Sequence, residues 1–247
     1  DYEILVCDNY SDDKGEGSEL VCKEVKKLYP ELKLYFNKQY CKVGITQTRH
    51  ELIMKACSEI IVFADDDYIA KSYLLKNAIQ SFKDKSVAIV TGPLKPKFEI
   101  NPPKWLKYLT SKTQNGYYII DLTVIDFGEK EFETEGGFAF WSNMAIKKSI
   151  YLESPGFGPD GFGDNLFYYN GTGETFYNDY IKSKGYKVIY NGKMKAFHKI
   201  TSRRFTTNYL QGRYAYYGIG DSFKLFRENN FLIYFFKIFL CSSKYIF

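Results

Sequence analysis

The sequence predicts an α/β fold with a Rossmann-like, mostly parallel central sheet flanked by helices, and three observations predict it. Short apolar runs without polar alternation recur at residues 3–7, 32–36, 60–64 and 87–90, the pattern of strands covered on both faces. Segments with apolar residues at helical spacing lie between them. Two of the runs end in carboxylates, and ligands of open parallel sheets bind beyond the carboxyl ends of the strands.

In chain order, the first strand ends at Asp8, Asn9, Tyr10, Ser11, Asp12 and Asp13. Ser18 is placed to cap a helix to Leu28, with Leu20, Val21, Val25 and Leu28 on one side, and Pro30 stops it. After the second strand a helix is expected over 46–57, with Leu52, Ile53 and Ala56 as its apolar stripe. The third strand ends at Asp65, Asp66 and Asp67, and Ser72 is placed to cap the next helix, which carries Leu74, Leu75, Ala78, Ile79 and Phe82. The fourth strand follows. Pro93, Pro96, Pro102 and Pro103 break up 92–104, residues 117–125 read as a strand, and 154–173 read as a long glycine-rich functional loop. A helix over 174–183, ended by Gly185, precedes a strand at 187–190. The tail, 223–247, is rich in aromatic residues; its apolar run at 231–240 is shorter than the ~20 residues of a bilayer span. An interfacial helix, a core helix and the start of a span all fit it.

Composition bounds the class. Of the 247 residues 45% are hydrophobic and 19% aromatic, which excludes a disordered chain. The net charge of +5 comes from lysines scattered along the whole length, not the concentrated basic face of a nucleic-acid binder. An anionic lipid surface or an anionic small substrate suits it. Five cysteines without a C-x-x-C pair read as free buried thiols of a reducing compartment, and two histidines, His50 and His198, leave no zinc site. The sequence runs from Asp1 directly into a strand, without an initiator Met or signal peptide, and reads as a fragment or internal piece.

The acidic triplet carries the strongest chemical signal. Three adjacent carboxylates at a strand end repel one another and are partly desolvated, and a cation relieves that strain. Hard cations such as Mg²⁺ take oxygen ligands, often one or two carboxylates plus substrate phosphates.

Six segments together resemble the family 2 glycosyltransferases, inverting, nucleotide-sugar-dependent enzymes with the GT-A fold. They are Tyr2 to Asp12 with its strand-ending Asp8; Gly44-Ile45-Thr46-Gln47-Thr48-Arg49-His50; Phe63-Ala64-Asp65-Asp66-Asp67; Ser142-Asn143-Met144-Ala145-Ile146-Lys147-Lys148; Gly173-Glu174-Thr175 through Gly185-Tyr186-Lys187-Val188-Ile189-Tyr190; and His198 closing the next strand. The resemblance spans roughly residues 2–220. It departs in two places. The family's domain opens with one further strand bearing a nucleotide loop, and that first strand is expected to be missing here. Thr175 stands where the family usually has the Asp treated as catalytic base, a role Thr cannot fill at neutral pH.

The resemblance implies a nucleotide-sugar-binding half over 1–92 and a catalytic and acceptor-binding half over 93–222; the aromatic tail over 223–247 lies beyond it, and its composition makes it a candidate for membrane contact. The resemblance also implies a Mg²⁺ or Mn²⁺ ion on Asp67, with Asp65 and His198 as further metal ligands. Asp8, Arg49, Asp65 and Asp66 would bind the nucleotide sugar, a UDP-sugar being the expected donor, and Trp141 and Asn143 the acceptor. Glu174, opening a helix, is the expected base, with Asp179 and Asp164 next in line. Phe157, Phe162, Phe167, Tyr168 and Tyr169 would stack on a sugar, and Arg203, Arg204 and Arg213 would meet diphosphate or lipid phosphate. The implied reaction is transfer of a hexose to a saccharide or lipid-linked acceptor in bacterial cell-envelope polysaccharide synthesis, in the cytoplasm or at the cytoplasmic membrane face. Nucleic acid is not an expected partner. A non-catalytic nucleotide-sugar-binding module and a membrane-surface interaction protein are the alternatives.

Overall fold

A computed structural model describes residues 1–14, 16–41, 43–134, 141–158, 173–228 and 235, with only the backbone of 141, 223 and 225–228. The elements run β1 (Glu3–Asp8), α1 (Glu16–Leu28), β2 (Lys33–Lys38), α2 (Ile45–Lys55), β3 (Ile60–Phe63), β4 (Tyr68–Ala70), α3 (Leu74–Ser81), β5 (Val87–Thr91), β6 (Leu94–Phe98), β7 (Ser111–Thr113), β8 (Gly116–Ile119), β9 (Val124–Asp126), β10 (Glu131–Glu133), β11 (Met144–Lys147), α4 (Lys148–Leu152), α5 (Gly173–Ser183), β12 (Lys187–Asn191), β13 (Ala196–Ile200) and α6 (Thr207–Glu228). β1 and β2 form a parallel pair; a second sheet has the order β10-β12-β5-β11-β3 and a third β4-β13-β6-β9-β8-β7.

β5 shows why these runs lack alternation. All five of its residues are buried. Ala88 and Ile89 pack with Ile53 of α2, Ile150 and Tyr151 of α4, and Tyr177 and Ile181 of α5. Val87 and Val90 pack on the other face with Leu74, Ala78 and Phe82 at α3. Each fully buried branched or aromatic side chain contributes about 1.5–3 kcal/mol of transfer free energy. A third cluster, with Leu106, Ile119, Leu122, Val124 and Ile200, lies against the six-stranded sheet.

Parallel pairing holds for β1–β2, β5–β12 and β6–β13. β11 runs antiparallel between β5 and β3, so the five-stranded sheet is mixed. Its direction follows from the long excursion between Thr91 and Ser142, which no local periodicity encodes.

The chain crosses from the second sheet to the third three times, between β3 and β4, β5 and β6, and β12 and β13. These crossings make a seam. Gly92 lies at one of them, where an added Cβ would press into the carbonyl oxygens of Met194 and Asn191, so only glycine permits the approach. The acidic triplet lies at another.

Several local expectations are corrected. Ser18 is not a cap: α1 starts at Glu16, and the Ser18 hydroxyl donates to Asp8 Oδ2 at 3.0 Å. Leu20, Val21 and Leu28 are exposed, leaving Cys22 as the buried residue of α1. The cap of α3 is Tyr73, in the left-handed region at φ 67°, rather than Ser72. Pro96 lies within β6, which β9 pairs only at Leu94↔Ile125, so the missing N–H interrupts no ladder there. Residues 117–125 are two strands around a 3₁₀ turn at Ile120–Leu122, because Thr123 adopts φ 54°. Cys41 and Cys57 are exposed and Cys7 is half-buried, so only Cys22 is a buried thiol among the described cysteines. Cys241 and most of the aromatic tail lie outside the described residues. Among those described, no helix is long and apolar enough to cross a membrane.

Candidate active site

The site is assembled at the seam from the turn between β3 and β4. Asp65 and Asp67 are half-buried there and Asp66 is exposed. The carbonyl of Asp65 accepts from Tyr68 N, and that of Asp67 accepts from Lys199 N, which fixes the turn against β13.

Asp65 is held on both oxygens. Arg49, buried on α2, donates to Oδ1 at 2.9 Å, and Ser142 Oγ donates to Oδ2 at 2.5 Å. α2 is itself tied to the end of β1, where Asn9 Nδ2 donates to Val43 O and Val43 N donates to Asn9 Oδ1. Asp65 is thereby oriented, each oxygen keeping a second lone pair beside the bond it accepts. Ser142 is a site residue that sequence reasoning passed over, since a serine before a strand carries no signal of its own.

Asp67 is held on one oxygen only. Arg204 Nη2 donates to Oδ2 at 2.7 Å, and His198 Nε2 lies 3.0 Å from the same oxygen. His198 is buried, and its Nδ1 lies 2.9 Å from the carbonyl oxygen of Leu122. A histidine whose Nδ1–H binds a backbone carbonyl presents Nε2 as the outward nitrogen, the arrangement common to metal-ligating imidazoles. Asp67 Oδ1 is buried and has no hydrogen-bond partner among the described residues. A buried orphan oxygen signals a missing water or ion.

These residues fit a divalent cation. Asp67, with one buried oxygen unpartnered, and His198, whose Nε2 turns to the same carboxylate, are donors that would hold such an ion. Among the described residues no group of three His, Cys, Asp or Glu forms a ready cage. That suits Mg²⁺ or Mn²⁺, which keep waters and take one or two protein ligands together with substrate phosphate.

Burial works to raise the Asp67 carboxyl, but the hydrogen bond and charge of His198, and the charge of Arg204, outweigh it and hold it below the usual range. Asp8 is likewise lowered: burial opposes, and hydrogen bonds from Ser11 and Ser18 prevail. A carboxylate depressed in the folded state adds stability above its unfolded value, near pH ~4, and loses it as pH falls through the folded value. Thermal melts are therefore expected to fall steadily below about pH 4, and Asp67→Asn is expected to flatten that acid limb.

Asp8 accepts from Ser11 N at 2.9 Å, Ser11 Oγ at 2.8 Å and Ser18 Oγ. Both of its oxygens are occupied in building the turn after β1. Asn143 does not face an acceptor. It is 1% exposed; its Nδ2 donates to Pro93 O at 3.2 Å and Met194 O at 2.9 Å, while its Oδ1 accepts from Tyr68 Oη at 3.0 Å. Asn143 therefore clamps all three seam crossings, and a fully bonded amide has nothing left for a sugar. Asn143→Ala is expected to cost roughly 3 kcal/mol, because three buried groups lose their partner. Urea unfolding measures it.

Glu174 lies half-buried in the first turn of α5; burial works to lower the Arg213 guanidinium, but Tyr217 and Tyr209, with a smaller share from Glu174, hold it above its usual range. Asp179 is paired with Lys224 of α6 at 3.1 Å. Phe157 belongs to the core, packed on Phe63, Tyr151 and Tyr177. Arg203 is exposed, and Arg213 donates to Tyr217 Oη at 2.9 Å. The side chain of Trp141, with Phe162, Asp164, Phe167, Tyr168 and Tyr169, lies outside the described residues.

Comparison with known proteins places this arrangement. No curated protein matches the chain. Among solved structures, a mannosyltransferase, PcManGT from Pyrobaculum calidifontis in complex with GDP-Man and Mn²⁺, is similar at 18% identity and a TM-score of 0.58, over 92% of this chain and 56% of that one. GalNAc-T7, crystallised with UDP, GalNAc and Mn²⁺, is similar at 13% identity and a TM-score of 0.51, over 80% of this chain and 38% of that one. The chain thus spans between about a third and about a half of the length of these structures. At such identities the likeness shows the fold, which is GT-A. The profile of the family described as Glycosyl transferase family 2 matches residues 1–151, and the chain belongs to that family.

Proposed function

We propose that this chain transfers a hexose from a nucleoside diphosphate sugar to a hydroxyl of a saccharide or lipid-linked acceptor, with inversion, and depends on Mg²⁺ or Mn²⁺. The observation that carries this reading is Asp67 at the seam, with one oxygen bound by Arg204 and facing His198, and the other buried without a partner. Both similar structures contain a nucleotide or nucleotide sugar with Mn²⁺.

Asp67 and His198 would hold the cation, which when bound neutralises the departing diphosphate as a Lewis acid. Arg204 supplies a fixed positive charge beside them. Arg49 and Ser142 keep Asp65 oriented toward the donor's ribose. Glu174 is proposed to take the acceptor hydroxyl's proton as that oxygen forms its bond to the anomeric carbon, while the electron pair of the breaking C–O bond leaves with the diphosphate. Residues 1–92 then act as the donor half, to which His198 and Arg204 are added from the second half.

Thr175 favours a second reading, a binding module without turnover. Calorimetry with UDP and GDP, with and without Mn²⁺, tests the shared part; metal-independent or absent binding of both would overturn it. Nucleotide release from a panel of UDP- and GDP-sugars then separates enzyme from binder.

A further inference from the structure

A second polar cluster stands beside the metal-facing histidine and is not used by the scheme above. Asp121 lies in the 3₁₀ turn Ile120–Leu122 and is 4% exposed. Its Oδ1 is buried and has no partner among the described residues. Arg213, on α6, points its Nη2 at Tyr217 Oη, 2.9 Å away, and toward Ile120 O at 3.5 Å, while its Nε is also buried and unpartnered. Tyr217 also bears on the Asp121 carboxyl, holding its pKa down against burial, after the stronger pull of the Arg213 charge. Tyr209 Oη donates to the Asp121 carbonyl at 3.3 Å, so α6 is fastened to this turn at several points.

One orphan acceptor and one orphan donor thus share a cluster whose formal charges cancel. A phosphate there would meet the Asp121 carboxylate, and an ammonium would meet the Arg213 guanidinium. A neutral group that both donates and accepts satisfies both atoms, and an alcohol or water oxygen is such a group. The cluster's place narrows the choice. Leu122, the next residue, gives its carbonyl to His198 Nδ1, and Glu174 is within electrostatic range of Arg213. The pair therefore neighbours both a residue proposed to hold the cation and the proposed base, and an acceptor alcohol must reach the base.

We infer that Asp121 and Arg213 form a hydroxyl-binding subsite for the sugar ring of a saccharide acceptor. The inference deepens the glycosyltransferase reading and rests on it for the identity of that sugar as acceptor. Burial pushes the Asp121 carboxyl above its usual range, against the pull of Arg213.

Saturation-transfer NMR on the full chain with UDP and Mn²⁺, against methyl glycosides of glucose, galactose, mannose and N-acetylglucosamine, tests it. At least one glycoside is expected to bind the wild type, and Asp121→Asn and Arg213→Lys are each expected to weaken that binding about tenfold or more, the loss of a hydrogen bond to a charged partner. Melting curves show which variants are folded, and either variant suffices. Absence of any glycoside signal from the wild type, which leaves the cluster to a bound water, overturns the inference, as does equal affinity in the folded variants. Mn²⁺-dependent UDP binding by the wild type is measured separately by calorimetry. Its failure sinks the glycosyltransferase reading and leaves the glycoside result to stand by itself.

Discussion

Asp67→Asn is expected to abolish Mn²⁺-dependent UDP binding, a loss beyond the ~100-fold upper end seen when only an outer partner of a metal ligand is removed. The substitution keeps the shape of the side chain and removes its charge. If the amide oxygen stays toward Arg204 and His198, the amide nitrogen takes the place of the buried Oδ1 and turns a donor toward the position a cation needs. If the amide flips, donor faces donor at Arg204. Asp66→Asn is the comparison. It removes the same charge from the same triplet, but Asp66 is exposed. A diffuse attraction of cations to acidic residues would suffer equally from both changes, whereas a ligand role singles out Asp67. Calorimetry with UDP, with and without Mn²⁺, decides; wild-type affinity in the Asp67 variant would remove the metal from this site.

The triplet was legible because it combines two strong local signals, a fully apolar strand and an abrupt run of carboxylates. His198 was legible only through the family pattern, but its place is physically determined: β13 pairs antiparallel with β4, in register His198↔Tyr68, which brings the ring beside Asp67. The strand–helix alternation up to Val90 was readable because β3 and β5 sit in sheets covered by helices, so each run has a single period. Beyond Thr91 the period fails. β6 contains a proline, β8 and β9 are short strands around a 3₁₀ turn, and β11 returns antiparallel into the middle of a sheet begun elsewhere. Long-range pairing of this kind leaves no trace in spacing. The role of Asn143 was misread for the same reason. An asparagine beside a strand invites a ligand, and only the meeting of three crossings shows that its amide is fully used. Asp121 was a clue overlooked, since one acid within Tyr118-Ile119-Ile120-Asp121-Leu122 is a charge in an apolar setting that needs compensation.

Glu174→Gln is expected to lower turnover at least ~100-fold while donor affinity holds, the low end of what a lost general base costs. The split follows from geometry. The expected donor site is built from Asp67, His198, Arg204, Arg49 and Ser142, and the substitution leaves each of these residues in place, so donor affinity is expected to hold. Only a carboxylate can take the proton, and Glu174 stands in the first turn of α5, where the helix end favours a negative charge. Glutamine keeps the length and the first-turn position and cannot take one. Its neighbours offer no substitute: Thr175 is not a base at neutral pH, and Asp179, just over one helical turn on, is committed to Lys224. Asp179→Asn should accordingly change stability more than turnover, through the lost tie between α5 and α6. Undiminished turnover in the Glu174 variant would transfer the proton to another group, and Asp121, already placed to receive an acceptor hydroxyl, would then be the carboxylate to substitute next.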